Sequence, residues 1–153
     1  MHNNMMEFEK DIREMFEIIN EEVDEVYRNI SLNGIYFRKS NSNGMSGKYV
    51  FFNDKGYYLD TVGDRGGFYE QKYFKTFEEL SFDLCWDFCS VISTKYASKN
   101  RVRGQDWRRI MFAKRVQLLA KVDEQFGRAG QEKINEILQE NPYDDVLLGD
   151  ILK

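Results

Sequence analysis

Lys48-Tyr49-Val50-Phe51-Phe52, then Asn53-Asp54-Lys55-Gly56, then Tyr57-Tyr58-Leu59-Asp60-Thr61 is the stretch that decides the fold. Two runs of aromatic and aliphatic residues flank four turn-forming ones, which is the composition of a β-hairpin. Working outward, Gly34-Ile35-Tyr36-Phe37-Arg38 reads as a strand before it. Ser40-Asn41-Ser42-Asn43-Gly44-Met45-Ser46-Gly47 reads as the intervening loop. On the other side, Gly63-Asp64-Arg65-Gly66-Gly67 is a turn and Phe68-Tyr69-Glu70-Gln71-Lys72-Tyr73 a fourth strand. Four strands with short connections predict an antiparallel meander, because parallel neighbours need long crossovers.

Helical patterns flank this block. Met5, Phe8, Ile12, Met15, Phe16, Ile19, Val23, Val26, Tyr27 and Ile30 recur at steps of three and four, so the first thirty residues read as an amphipathic helix. Its outer face is acidic: residues 7–25 hold nine carboxylates against Lys10 and Arg13. The plain reading of such a face is solvation. After the strands, Thr76 and Glu79 form a capping box that opens a helix running to about Asn100. Phe77, Leu80, Phe82, Leu84, Cys85, Trp86, Phe88, Cys89, Val91 and Ile92 make it apolar nearly all round, as a central helix is. A third helix is predicted from about Gln105 to Phe126 and a fourth from Gln131 to Glu140, with Pro142 blocking continuation. The tail Val146-Leu147-Leu148 with Ile151-Leu152 is apolar enough to dock. The expectation is one α+β domain over residues 1–153: an N-terminal helix, a four-stranded antiparallel meander, then three helices packed on the sheet.

Composition narrows the function. The 153 residues can bury roughly two-thirds of their unfolded surface, enough for a core without staples. Aromatic residues reach 15%, with 12 Phe, 9 Tyr and 2 Trp, and that ring surface must be buried or spent on an interface. The net charge of −4 disfavours non-specific nucleic-acid binding and favours encounter with a basic partner. No run approaches the roughly 20 apolar residues of a membrane span, and the opening residues lack a secretory signal's pattern. A cytoplasmic protein is expected.

Catalytic chemistry finds little to work with. His2 is the one histidine, near a terminus of the kind that is usually mobile. Ser-His-Asp and Cys-His mechanisms, and the usual zinc sets, need more. Cys85 and Cys89 share a helix face among Leu84, Trp86 and Phe88, and read as buried small hydrophobes. Gly63–Gly67 lacks the ending of a phosphate-binding loop and does not open directly into a helix. No enzymatic activity, cofactor or metal is expected.

The segment from Lys95 to Lys121 holds nine basic residues and a single acid, Asp106. A basic, tryptophan-bearing segment could contact RNA, which makes a nucleic-acid-binding or adaptor module built on residues 95–115 the alternative reading. The competing reading pairs these cations with the acidic first helix and with Asp83 or Asp87 of the same chain. On it, Arg101, Arg108 or Arg109 forms an ion pair and Asp106 serves the start of the third helix.

Several motifs together carry a family resemblance: Phe77-Glu78-Glu79-Leu80-Ser81-Phe82-Asp83, Tyr96-Ala97, Asn100-Arg101, Asp106 with Arg108-Arg109, Phe112, Gln117-Leu118-Leu119 and Asn141-Pro142-Tyr143-Asp144-Asp145. With Gly56-Tyr57-Tyr58 they span residues 47–145 and resemble immunity protein family 63. Members of that family are encoded beside polymorphic toxins, including those of contact-dependent growth inhibition. The resemblance implies a cytoplasmic bacterial protein that binds one cognate toxin domain, has no enzymatic role and blocks the toxin. It brings no contact residues with it. The turns of the meander supply candidates: Asp54, Asp60, Asp64 and Glu70 would steer a basic cleft, with Tyr57 and Tyr69 as rigid contact area. The competing surface is Glu14, Glu17, Glu21 and Glu25 on the first helix.

Overall fold

The computed structural model describes residues 2–30, 34–40, 45–64 and 67–146. In chain order these form α1 (Met5–Glu21), a 3-10 turn at Glu25–Tyr27, β1 (Ile35–Tyr36), β2 (Gly47–Asn53), β3 (Gly56–Val62) and β4 (Tyr69–Phe74). Three helices follow: α2 (Phe77–Lys99), α3 (Arg108–Val122) and α4 (Glu124–Glu140). The fold is α+β, as expected. The centre of the 40–47 loop, Arg65 and Gly66 of the next turn, and the apolar tail from Leu147 lie outside the described residues.

The sheet has the order β1-β2-β3-β4. β2 and β3 pair antiparallel with Asn53 opposite Gly56, and β3 and β4 pair antiparallel with Tyr57 opposite Phe74. One pairing departs from the meander: β1 runs parallel to β2, with Ile35 opposite Lys48 and Tyr36 opposite Tyr49. No tight turn joins β1 to β2, so the short loop that would enforce antiparallel pairing is missing between them.

The described residues cluster into two compact units, one drawn from 1–14 and 30–84, the other from 15–29 and 85–153. In the first, the sheet turns one face to the opening turns of α1. Phe8 is fully buried and its ring meets Phe52 at 5.4 Å, Tyr57 at 5.9 Å and Phe77 at 5.9 Å. Val50 and Leu59, opposite each other in register, are buried on the same face. The alternation of strand side chains assigns this set together, with Tyr49, Phe51, Tyr58 and Asp60 on the reverse face.

In the second unit Phe16 stacks on Phe88 at 4.0 Å, among buried Ile19, Ile92, Leu118, Leu119 and Ile134. α3 and α4 cross closely because Gly127 leaves room for Ala120 and Gly130 for Leu119. A Cβ at either glycine would come within 2.7 Å of that neighbour. The helix boundary here differs from the sequence expectation. Asp123 is extended (φ −162°, ψ 132°), ends α3, and accepts a hydrogen bond from the Gln125 N–H at 2.8 Å to start α4. The break therefore lies at Asp123 and not between Phe126 and Gln131, because an N-capping aspartate outcompetes continued apolar periodicity.

α1 is also shorter than its pattern. The side chain of Asn20 brackets Asn29, taking its N–H at 2.9 Å and donating to its carbonyl at 3.0 Å. This turns the chain back after Glu21. Val26 and Ile30, counted in the apolar stripe, are 57% and 84% exposed. α2 follows its signals closely: Thr76 Oγ1 accepts from the Glu79 N–H at 3.2 Å, and Glu79 Oε2 takes the Lys75 N–H at 3.3 Å.

Candidate functional site

The six surface candidates divide by exposure. Asp54, in the β2–β3 turn, and Asp64, Tyr69 and Glu70 are exposed. Tyr57 and Asp60 are buried, at 4% and 1%. Tyr57 belongs to the helix-covered face, where its hydroxyl meets His2 Nδ1 at 3.2 Å and burial raises its pKa. Asp60 points to the reverse face. The six therefore do not form one patch: Tyr57 and Glu70 face one side of the sheet, Asp60 and Tyr69 the other.

The reverse face of the sheet is aromatic. Phe51 stacks on Tyr58 at 5.0 Å, and Tyr58 meets Tyr73 at 5.4 Å. Tyr36 stacks on Tyr49 at 4.8 Å, with the Arg38 guanidinium 5.3 Å above the Tyr36 ring. Tyr69 and Tyr73 are 60% and 54% exposed. Gly56 serves this arrangement: at φ +152° it lets the Tyr73 ring lie across its backbone, and the Tyr73 hydroxyl donates to the Lys55 carbonyl at 2.7 Å. Asp60 lies on the same face, opposite Tyr49 and Gln71. Its carboxylate accepts from Ser40 Oγ at 2.7 Å, Gln71 Nε2 at 2.8 Å and the Tyr69 hydroxyl at 3.3 Å. All three donors are neutral.

The basic segment is largely consumed within its own unit. Asp106 is fully buried and accepts the Arg108 N–H at 3.0 Å, Arg108 Nη2 at 2.8 Å and the Asp144 N–H at 2.9 Å. Arg108 also donates to the carbonyls of Asn141 and Pro142, at 3.0 and 2.8 Å. Arg109 pairs with Asp145 at 3.0 Å and lies 4.1 Å over the Tyr143 ring. This clasp fastens residues 141–145 to the start of α3, so the expected ion pair and the expected local role of Asp106 are both present. Burial pushes the Asp106 carboxyl up, but the hydrogen bonds from Arg108 and the Asp144 amide outweigh it and hold the pKa below the ordinary aspartate value. The partners are only partly those expected. Lys121 reaches Glu22 of the acidic stretch at 3.7 Å and the Asp87 charge favours the Arg115 guanidinium, but Asp83 pairs with Lys72 of the sheet.

The buried Arg115 is an unforeseen feature. It donates through Nε and Nη2 to the Trp86 carbonyl, at 3.1 and 2.8 Å, with its guanidinium 3.5 Å from the Trp86 ring centre. Burial lowers its pKa to about 10. Beyond it, Tyr96, Ile110, Ala113, Lys114, Gln117, Gln105 and Arg109 line an open groove of about 460 Å³. Its two cations are already engaged, Arg109 as above and Lys114 over the Tyr96 ring at 4.5 Å.

Residues 54–136, more than half of the chain, match the family model described as Immunity protein 63. The chain belongs to the Immunity protein 63 family. Neither a curated protein nor a solved structure matches it. The matched span begins in the β2–β3 turn and ends within α4, so it takes in the exposed tyrosines of β4 and the buried Asp106. α1 and the clasp residues 141–145 lie outside it.

In this Immunity protein 63 member, reactive groups are sealed. Cys85 and Cys89 are free and buried, and burial pushes both thiols up, Cys89 to about 12. His2 is anchored where a mobile terminus was expected. Its Nε2 lies 2.6 Å from Asp11, and its ring packs 4.4 Å from Phe77. An aromatic pocket with a carboxylate at its rim holds the imidazole, overriding the usual fraying of a terminus. Among the described residues no group of three or more His, Cys, Asp or Glu could hold a metal, and no helix is long and apolar enough to cross a membrane. Sequence reasoning missed Tyr58, Tyr73 and Gln71 as residues on the same sheet face as Asp60. The period-two alternation of β3 and β4 was the signal that would have found them.

Proposed function

We propose that this chain is a cytoplasmic immunity protein that binds and neutralises one cognate toxin domain, a nuclease delivered by a neighbouring cell, without catalysing a reaction itself. Membership of the Immunity protein 63 family is the observation that carries this reading. The physics of the chain supports it. Its net charge is −4, and exposed acids sit on the β2–β3 turn at Asp54 and near β4 at Asp64 and Glu70. Nuclease clefts are basic because they hold phosphate, so an acidic partner is drawn to them and associates quickly. Neutralisation then follows from occupying the cleft, with no chemistry required.

The test is co-expression with the toxin gene next to this one. Growth should be rescued, and the inactivated toxin domain should co-purify with this chain. Absence of both refutes the reading. Charge reversal at Asp54, Asp64 and Glu70 together should slow association and flatten its salt dependence. RNA binding by the wild-type chain, abolished by changes at Lys99, Arg101 and Arg103, would favour the nucleic-acid alternative instead.

A further inference from the structure

We propose that the open aromatic face of the sheet, around Tyr58, Tyr69, Tyr73 and the sealed carboxylate of Asp60, is the docking site for an arginine-bearing segment of the cognate toxin. The choice of partner rests on the immunity reading. The chemistry of the occupant rests on the face.

Two observations point to a guanidinium. First, Asp60 is 1% exposed, yet its partners are a serine hydroxyl, a tyrosine hydroxyl and a glutamine amide. Among the described residues no cation forms an ion pair with it. None of the three donors carries a charge, so a guanidinium reaching this face would be the first ion-pair partner for the carboxylate, in a site poorly screened by solvent. Two of the three donors, Tyr69 and Gln71, are exposed residues of the edge strand β4, so a thin polar layer separates the charge from solvent. Second, the same face of the sheet carries a row of ring faces. Phe51, Tyr58 and Tyr73 run side by side at 5.0 and 5.4 Å. The chain already uses this surface for a guanidinium, since Arg38 lies 5.3 and 5.8 Å over Tyr36 and Tyr49. A planar, weakly hydrated guanidinium stacks on such rings better than a compact ammonium.

The competing occupant is single-stranded nucleic acid, whose bases also stack on exposed rings. Its phosphates would meet a face whose buried charge is negative, in a chain of net charge −4. Protein is therefore the favoured partner.

Asp60→Asn is the sharpest probe. An asparagine can keep its carbonyl toward Gln71 and turn its amide toward the hydroxyls of Ser40 and Tyr69, so the charge goes while the network stays. Tyr69→Ala combined with Tyr73→Ala removes exposed ring surface, and thermal melts of Asp60→Asn and of this double variant check that the chain still folds. Against the inactivated toxin domain encoded beside this gene, D60N should weaken binding at least tenfold. The Tyr69/Tyr73 double variant should weaken it on the order of thirtyfold, as loss of an interface anchor does. If the wild type binds and these variants bind equally well, the face is wrong while the immunity reading stands.

If the wild type does not bind that domain, the immunity reading fails and the face is judged by a second arm. There a tetra-arginine peptide and a tetra-lysine peptide are titrated into the full chain and followed by amide chemical shifts. Shifts at Tyr58, Tyr69 and Tyr73, with arginine preferred roughly threefold, support the proposal. Shifts confined to the acidic face of α1, or no preference for arginine, overturn it. So does tighter binding of oligouridine than of tetra-arginine at the same amides.

Discussion

Replacing Asp106 tests the clasp that ties the end of the described chain to α3. The carboxylate is fully buried and accepts from the Arg108 N–H, Arg108 Nη2 and the Asp144 N–H, all between 2.8 and 3.0 Å. Arg108 itself is only 14% exposed. Asp106→Ala leaves that guanidinium without its counter-charge, and removing one partner of a buried pair costs about 3–5 kcal/mol. The carbonyls of Asn141 and Pro142 still hold part of it, so the low end of that range, about 3 kcal/mol, is expected. Asp106→Asn discriminates further. Its amide would present hydrogens to either Arg108 or the Asp144 N–H, which are both donors, so it should cost nearly as much as alanine. For a chain of this size the melting temperature should fall by roughly 6–12 °C.

Urea unfolding measures the loss, and exchange of the Asp144 amide should accelerate in both variants. The acid limb gives an independent check. The folded pKa lies below the unfolded one, so the stabilisation is complete above the unfolded value of about 4 and is lost as pH falls through the folded value. The wild type should therefore lose stability in acid more steeply than Asp106→Ala. An asparagine variant within about 0.5 kcal/mol of wild type, with an unchanged acid limb, would refute the account.

Both cysteines should resist a thiol reagent at pH 8 until denaturant is added, since a pKa of about 12 at Cys89 leaves roughly one thiolate in ten thousand; rapid native labelling would contradict the burial. Gly56→Ala should cost about 2 kcal/mol in urea unfolding, because the backbone is at φ +152° and the new Cβ would come within 2.7 Å of the Tyr73 ring and 2.8 Å of the Phe74 carbonyl. His2→Ala should cost about 1–2 kcal/mol, because the buried Tyr57 hydroxyl loses a partner at 3.2 Å; an unchanged melting curve would show that the N-terminal anchor contributes nothing.

The sheet was legible where local chemistry and pairing agree. Asn53-Asp54-Lys55-Gly56 fixed the hairpin because a turn of that composition forces its neighbours into antiparallel register. β1 was legible as a strand but not in direction, since pairing across a loop spanning residues 37–46 depends on geometry that composition does not encode. Helix ends failed where a polar side chain overrode periodicity: Asn20 holding Asn29, and Asp123 capping α4. Among the candidate surface residues, exposure was the hidden quantity. Asp60 resembles Asp54 and Asp64 as a carboxylate near a turn, yet its register opposite Gln71 and Tyr49 buries it among the donors Ser40, Tyr69 and Gln71. An ion pair for Arg108 was legible but its partner was not: Asp106, two residues away, read only as serving the start of α3, and Arg115 under Trp86 needed the helix packing to be known.

The distribution of charge separates two tasks a binding protein must perform. Arg108 and Arg109 are paired with Asp106 and Asp145, Arg115 is buried, Lys121 reaches Glu22, and Arg101 lies 5.7 Å over Trp107. With these cations engaged inside the chain, the negative field belongs to exposed acids such as Glu17, Glu21 and Glu25, and Asp54 and Asp64. Such groups act at a distance and are screened by salt, so on the proposed function they would set how fast a basic toxin domain arrives. If the aromatic face is the docking site proposed above, its tyrosines and Asp60 would act only in contact and would set how long the partner stays. Reversing the exposed acids should therefore change the association rate and its salt dependence. Asp60→Asn and the Tyr69/Tyr73 double variant should instead raise the dissociation rate at nearly constant association. If both classes of variant changed the same rate constant, arrival and retention would share one surface, and the division between the acidic exterior and the aromatic face would be wrong.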